Sequence, residues 1–160
     1  MIRNLLILDK NGRALLCSNF GECHSLCDNT EEISSFINAL STFGQALSAD
    51  VLNEITLSGL RFMLMPKEDL LFSISADDDD TDAQRDVLVQ IIGFFADLYD
   101  SFSCGIEDEI DTAVYQEFPK FLVDQGILQL NCGKYVECED CPNKENSLPL
   151  QKMTEELEEL

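Results

Sequence analysis

Seven cysteines and a single histidine are the residues with most chemistry to offer in this 160-residue chain. Three of them fall together in NCGKYVECEDCP, where Cys138 and Cys141 have the CxxC bite with which two thiolates grip one tetrahedral metal, and Cys132 precedes them by six. Two more, Cys23 and Cys27, flank His24 in CHSLC. A zinc ion needs four donors, so CxxC must be supplemented by Cys132 and one other, or by Cys23, Cys27 or His24. Two readings stay open: zinc held among Cys132, Cys138, Cys141, Cys23 and Cys27, or reduced thiols in exposed loops. A zinc-binding or thiol redox-sensing protein is thus one functional alternative. Thioredoxin-like exchange fits less well, because the acids in CEDC raise a thiol pKa and the motif does not sit at a strand-to-helix turn. Cys17 lies in an apolar run and reads as a small buried hydrophobe, while Cys104 follows a helix. An odd number of cysteines cannot pair completely within one chain, and free thiols or ligands are expected over disulfides.

Carboxylates cluster at Asp77 to Asp80 with Asp82. An EF-hand fails here: counted from Asp78, the sixth position is Ala83 where Gly is needed, and the twelfth is Val89 where Glu is needed. The acids are read as caps on a following helix, whose N-terminus favours negative charge. There is no GxSxG, HExxH, GxxxxGK[ST] or GxGxxG, and a nucleophile would have to rely on His24 in a polar loop. No catalytic residue, and no enzyme, is expected.

Lys and Arg number 10 against 31 Asp and Glu, a net charge of −21 that repels nucleic acid and anionic membrane. The apolar run in MIRNLLILDKNG is too short for a signal-peptide core or a spanning helix, so a cytoplasmic protein without an integral membrane segment is expected. At 45% hydrophobic the chain can fill the core of one ordinary domain.

Apolar periodicity supplies the elements that position these groups. Residues 2–8 and 13–18 are strand-like runs joined by DKNG, a hairpin signal; the unbroken Leu5 to Leu8 suits a strand covered on both faces, hence an internal one. Ile33, Phe36, Ile37, Leu40, Phe43, Gly44 and Leu47 trace one helical face, preceded by the capping residues Asp28, Asn29 and Thr30, with Gly44 suggesting close approach to another backbone. Residues 51–57 and 60–66 form a second hairpin across Ser58 and Gly59. A fifth strand over 70–76 places Phe72 and Ile74 on one face and Leu71, Ser73 and Ser75 on the other. Ala83, Val87, Leu88, Ile91, Phe94, Phe95, Leu98 and Phe102 mark a long helix. The order is β-β-α-β-β-β-α, an α+β domain with a five-stranded, antiparallel-type sheet over residues 1–103. A C-terminal extension, 104–160, carries short helices around Val114 and Phe121, Gly126 as a C-cap, a short strand in ILQLN, the Cys-containing loop and an acidic amphipathic tail.

With that order in place, the first hundred residues resemble the longin (SNARE-like) branch of the roadblock/longin superfamily. The likeness rests on NLLILDKNGRALLCS as opening hairpin, ISSFINALSTFGQAL as covering helix, and FMLMPKEDLLFSISADDDDTDAQRDVLVQIIGFFADLY as hairpin, acid turn and helix. No helix precedes the first strand, which favours longin over roadblock proper. The resemblance implies a non-catalytic interaction module that pairs with itself or another longin or roadblock protein and binds or regulates a small Ras-like GTPase, as similar archaeal proteins do. Both long helices are expected on one sheet face. The other, bearing Met63 and Met65, then needs cover from a partner or, the favoured reading, from the segment after Gly105 through Ile110, Val114, Phe118, Phe121 and Leu122, in which case a partner is left an open strand edge or Gly44.

Overall fold

Ile2–Leu8 (β1) is buried at every residue, and Leu70–Asp77 (β5) at every residue except Asp77. Strands buried on both faces need neighbours on both edges and layers above and below, and the rest of the fold supplies them. The computed structural model of the chain describes residues 1–21, 26–47, 53–57, 60–77, 81–99 and 111–130. The other strands are Ala14–Asn19 (β2), Glu54–Leu57 (β3) and Leu60–Lys67 (β4); the helices are Thr30–Leu47 (α1), Thr81–Leu98 (α2) and Phe118–Asp124 (α3), with 3-10 turns at Leu26–Asn29 and Thr112–Tyr115. The chain is α+β, with one five-stranded sheet in the order β2-β1-β5-β4-β3 and every pairing antiparallel.

Side-chain alternation divides the sheet into two apolar layers. Leu6 and Leu8 of β1, Phe62 and Leu64 of β4, and Leu71 of β5 meet Ile33 and Ile37 of α1. Leu5, Ile7, Met63, Phe72 and Ile74 point the other way and meet Leu88, Ile91 and Phe95 of α2. The two long helices therefore lie on opposite faces, where the sequence reading had placed them side by side. The reason is in the strands: β1 and β5 are apolar on both faces, and one helical layer would leave half of that surface in water.

The second layer is completed by the chain beyond residue 110. Phe118, Leu122 and Leu128 are at most 5% exposed and belong to the same core as α2. Phe118 packs edge-on against Phe95 at 5.1 Å between ring centroids, Tyr115 lies 5.4 Å from the same ring, and Phe94 meets Phe121 at 5.5 Å. Intramolecular cover of the Met63 face thus holds over residues 112–128, shared with α2. Tyr99 sits in this cluster, its phenol pKa raised by burial and by the nearby Glu117 carboxylate. Pro119 opens α3. Gly126, at φ +72°, closes it: its N–H donates to Val123 O, and the Ile127 N–H donates to Leu122 O. That cap replaces the short strand expected in ILQLN, because it turns Leu128 back into the core. Ile110, Phe102 and the expected boundary at residues 103–104 fall outside the described residues.

The expected hairpins pair as β1–β2 and β3–β4, the Ser58–Gly59 turn of the second lying outside the described residues, and the β1–β2 and β4–β5 turns differ in chemistry from the plainest reading of their sequences. In the first, the Gly12 N–H donates to Asp9 O and Gly12 alone takes positive φ, so Lys10 and Asn11 are the central turn residues. Asp9 is 7% exposed and its carboxylate accepts from the Asn11 and Arg13 N–H groups and from Arg13 Nε at 2.8 Å. A Cβ at Gly12 would stand 2.7 Å from the Asn38 side chain, so glycine also lets the turn lie against α1. Between β4 and β5 only Glu68 and Asp69 intervene, and Glu68 is held at φ +53°. Pro66 is tolerated in β4 because β3 stops opposite Met63.

Two measurements test this account. Phe118→Ala should lower unfolding free energy by about 3–5 kcal/mol; a loss below ~1 kcal/mol in chemical denaturation would mean that the C-terminal segment is not part of the core. Glu68→Gly should raise stability by about 0.5–1 kcal/mol, since glycine removes left-handed strain at the cost of some unfolded-state entropy; destabilisation would contradict the turn geometry.

Candidate functional site

Helix α1 is where burial departs furthest from sequence periodicity. Its buried residues are Ile33, Ser34, Ile37, Ser41 and Gly44. Phe36 and Leu40 are half-buried, Phe43 is 60% exposed and Leu47 is 70% exposed. At 100° per residue, the stripe Phe36, Leu40, Phe43 and Leu47 is centred roughly 90° around the helix from the buried line. The seven-residue apolar face inferred from sequence is thus two faces, one against the sheet and one beside it. Small residues, Ser41 and Gly44, continue the buried line in the second half of the helix, and the bulky pair lies on the flank.

Charge makes this flank distinctive. From Ile33 to Leu47 there is no ionisable side chain, whereas 26% charged residues, evenly spread, would put about four into fifteen positions. Besides Phe43 and Leu47, the exposed residues of this stretch are Ser35, Ala39, Thr42, Gln45 and Ala46. A solvated helix face in so acidic a protein would ordinarily carry Asp, Glu or Lys, and an uncharged face with two large exposed hydrophobes has the composition of an interface.

The flank adjoins a sheet edge. Phe36 packs on Phe62 at 6.1 Å between centroids, and Phe36, Leu40 and Ile55 of β3 belong to one apolar cluster. β3 ends the sheet, four residues long and paired with β4. Its Glu54 carboxylate is held by Arg61 Nε at 2.9 Å and faces Arg85 at 3.4 Å. Glu54 is thus paired with cations instead of presenting bare negative charge at the edge. Together the α1 flank and β3 offer an apolar strip beside an extended backbone, the two surfaces through which helices and strands are most readily added.

The candidate metal ligands have a different outcome. Cys27 lies in the 3-10 turn before α1 and is bonded to Cys17 of β2, ten residues away. This corrects the expectation of free thiols: Cys17 is half a crosslink instead of a buried hydrophobe, and in this form Cys27 has no thiolate to give a metal. A bulge decides the geometry. Ile7 pairs with Leu16 and Leu8 with Ala14, so Leu15 is an extra residue, Leu15 and Leu16 both enter the α2-side core, and Cys17 turns to the α1 side. A disulfide closing so short a loop contributes on the order of 2–3 kcal/mol. Cys23, His24, Cys132, Cys138 and Cys141 lie outside the described residues; among the described residues no three His, Cys, Asp or Glu side chains converge as a metal site would require.

The acid run is divided. Asp77 takes two hydrogen bonds at 3.0 Å from the buried Arg3 guanidinium, clamping the start of β1 to the end of β5. Asp82 lies in the first turn of α2, as the capping reading expected, and Gln84 reaches back to Asp77 O at 2.9 Å. Residues 78–80 are outside the described set. An open depression of about 290 Å3 between the start of β1, the first turns of α2 and Gly126 to Gln129 is lined by no titratable side chain. No described helix is long and apolar enough to cross a membrane.

Sequence reasoning missed the exposure of Phe43 and Leu47 and the role of Cys17. The first had a visible signal in the uncharged run from Ile33 to Leu47; the second had none, since the bulge that aims Cys17 is a tertiary feature. Comparison of the chain with protein-family models gives no match, and comparison with curated proteins gives none either.

Proposed function

We propose that this chain is a non-catalytic, longin-type interaction module that pairs with a second copy of itself or a related longin or roadblock protein, and in that state binds and regulates a small Ras-like GTPase. The observation that carries the reading is the uncharged outer flank of α1, on which Phe43 and Leu47 are exposed and Phe36 and Leu40 share a cluster with Ile55 of the edge strand β3. The element order β-β-α-β-β-β-α and the single five-stranded antiparallel sheet agree with the hairpin and helix patterns on which the longin resemblance rests. A helix flank beside a strand edge is the kind of surface to which another subunit adds a helix or a strand. A pairing face that lacks charge suits an acidic protein: two copies at −21 each repel over a distance, and contact is least unfavourable where carboxylates are absent.

Sedimentation of the full chain at increasing protein and salt concentration tests pairing. Association should strengthen with salt, as screening weakens the long-range repulsion. The double substitution Phe43→Glu and Leu47→Glu should weaken association at least tenfold while changing the melting temperature little, since both residues are already exposed. A wild-type chain that stays monomeric at all concentrations and captures no longin relative, or a double variant that associates as well as wild type, would overturn the assignment of this face. GTPase regulation has a separate readout: release of a fluorescent nucleotide from Ras-like GTPases of the same organism should be accelerated or blocked by the protein, and less so by the double variant. Calorimetry should find no GTP binding by the protein alone; micromolar affinity would argue for a nucleotide-dependent activity in place of an adaptor.

A further inference from the structure

We propose that the Cys17–Cys27 bridge is a reversible redox latch: a dithiol reductant opens it, loosening the Leu26–Asn29 turn and the start of α1, which then rest on β2 through non-covalent contacts alone, while the sheet stays folded. The inference stands independently of the partner assignment above.

Three features set this bridge apart from a crosslink on which the fold depends. The first is access. Cys17 and Cys27 are both half-buried, and Cys17 lies on β2, which ends the sheet, so an incoming thiolate has a route to the bridge.

The second is redundancy. The turn is held to the sheet by a polar chain that does not involve sulfur. The Ser75 hydroxyl donates to Asn4 Oδ1, Asn4 Nδ2 donates to Asn19 Oδ1 at 2.7 Å, and the same oxygen accepts from the Cys27 N–H at 3.0 Å. Asn19 Nδ2 in turn donates to the Asp28 carboxylate at 3.1 Å. Below the turn, Leu26, Ile33 and Ile37 are at most 4% exposed against Leu6 and Phe62. These contacts keep α1 docked after the bond opens, and the sheet's own ladders do not pass through the bridge.

The third is room to move. A cavity of about 10 Å3, large enough for one small group, adjoins Cys17 and Cys27 and is lined by Leu6, Ile33, Phe62 and Ser75. Two thiols need more separation than two bonded sulfurs. β2 is fixed by its pairing with β1, so the displacement falls on the turn, whose backbone is joined to β2 by side-chain hydrogen bonds.

The chemistry balances with a dithiol as the named reductant. Its thiolate attacks one sulfur of the bridge, the Cys17–Cys27 bond breaks, and a mixed disulfide forms. Its second thiol displaces the remaining protein sulfur. The dithiol ends as a disulfide, having given two electrons; Cys17 and Cys27 end as thiols, having taken two protons.

The test uses the full chain poised in graded ratios of reduced to oxidised dithiothreitol. Alkylation and mass spectrometry report the state of Cys17 and Cys27, and amide hydrogen exchange reports motion. Opening should occur in the folded protein and reverse on reoxidation. Amides over Leu26 to Ile33 should exchange at least tenfold faster when it is open, with β1 and β5 amides unchanged. A variant with Cys23, Cys104, Cys132, Cys138 and Cys141 all changed to Ser should keep the response, and Cys17→Ser with Cys27→Ser should exchange quickly over Leu26 to Ile33 at every ratio. The proposal is overturned if the bridge resists a large excess of reductant until the chain is denatured, or if β1 and β5 lose protection in parallel with the turn. It is overturned equally if the turn exchanges no faster when open, or if the Cys17→Ser, Cys27→Ser chain fails to fold.

Discussion

Burial of the β1–β5 pair on both faces is the constraint on which the rest of this structure depends. The two strands lie side by side at the centre of the sheet, and between them contribute Leu5, Leu6, Ile7, Leu8, Leu71, Phe72 and Ile74 to two cores. Each face removes several large side chains from water, at about 1.5–3 kcal/mol for each that is fully buried, and neither face can be left open without losing that contribution. Two helical layers follow from this as a requirement. Helix α1 suffices for the face where β5 presents Ser73 and Ser75, and the larger face requires α2 together with the segment from Thr112 to Leu128.

The aromatic cluster around Phe95 shows how that second layer is joined. Phe95 meets Phe72 of the sheet, Tyr99 just past the end of its own helix, and Tyr115 and Phe118 of the following segment. One side chain therefore couples three parts of the chain, and edge-to-face contacts fix their relative orientation more tightly than aliphatic packing would. The C-terminal extension is, over these residues, part of the sheet's own core.

What remains outside the two cores is informative because the chain is so acidic. Charged residues make up 26% of the chain, yet the flank of α1 has none from Ile33 to Leu47, and the adjoining strand β3 has its single acid engaged with Arg61 and Arg85. The same helix begins at the disulfide-tethered turn, so its two ends differ in kind: one is fastened covalently to β2, and the other carries exposed Phe43 and Leu47.

The sequence by itself determined most of the elements and the internal place of β1, because hydrophobic period and unbroken apolar runs are local properties. Ile2–Leu8, Leu60–Lys67 and Leu70–Asp77 fall where the runs fall, and the charge-free stretch of α1 was open to view. Tertiary structure decided three things that no local pattern encodes. It set the helices on opposite faces, since a helix's own periodicity does not say which side of a sheet it covers. It divided the apolar stripe of α1 into a buried line through Ile37 and an exposed flank through Phe43, since burial depends on where the sheet ends. And it joined Cys17 to Cys27, since one extra residue at Leu15 reverses the direction in which Cys17 points, and whether two cysteines can bond is settled by direction and distance in space.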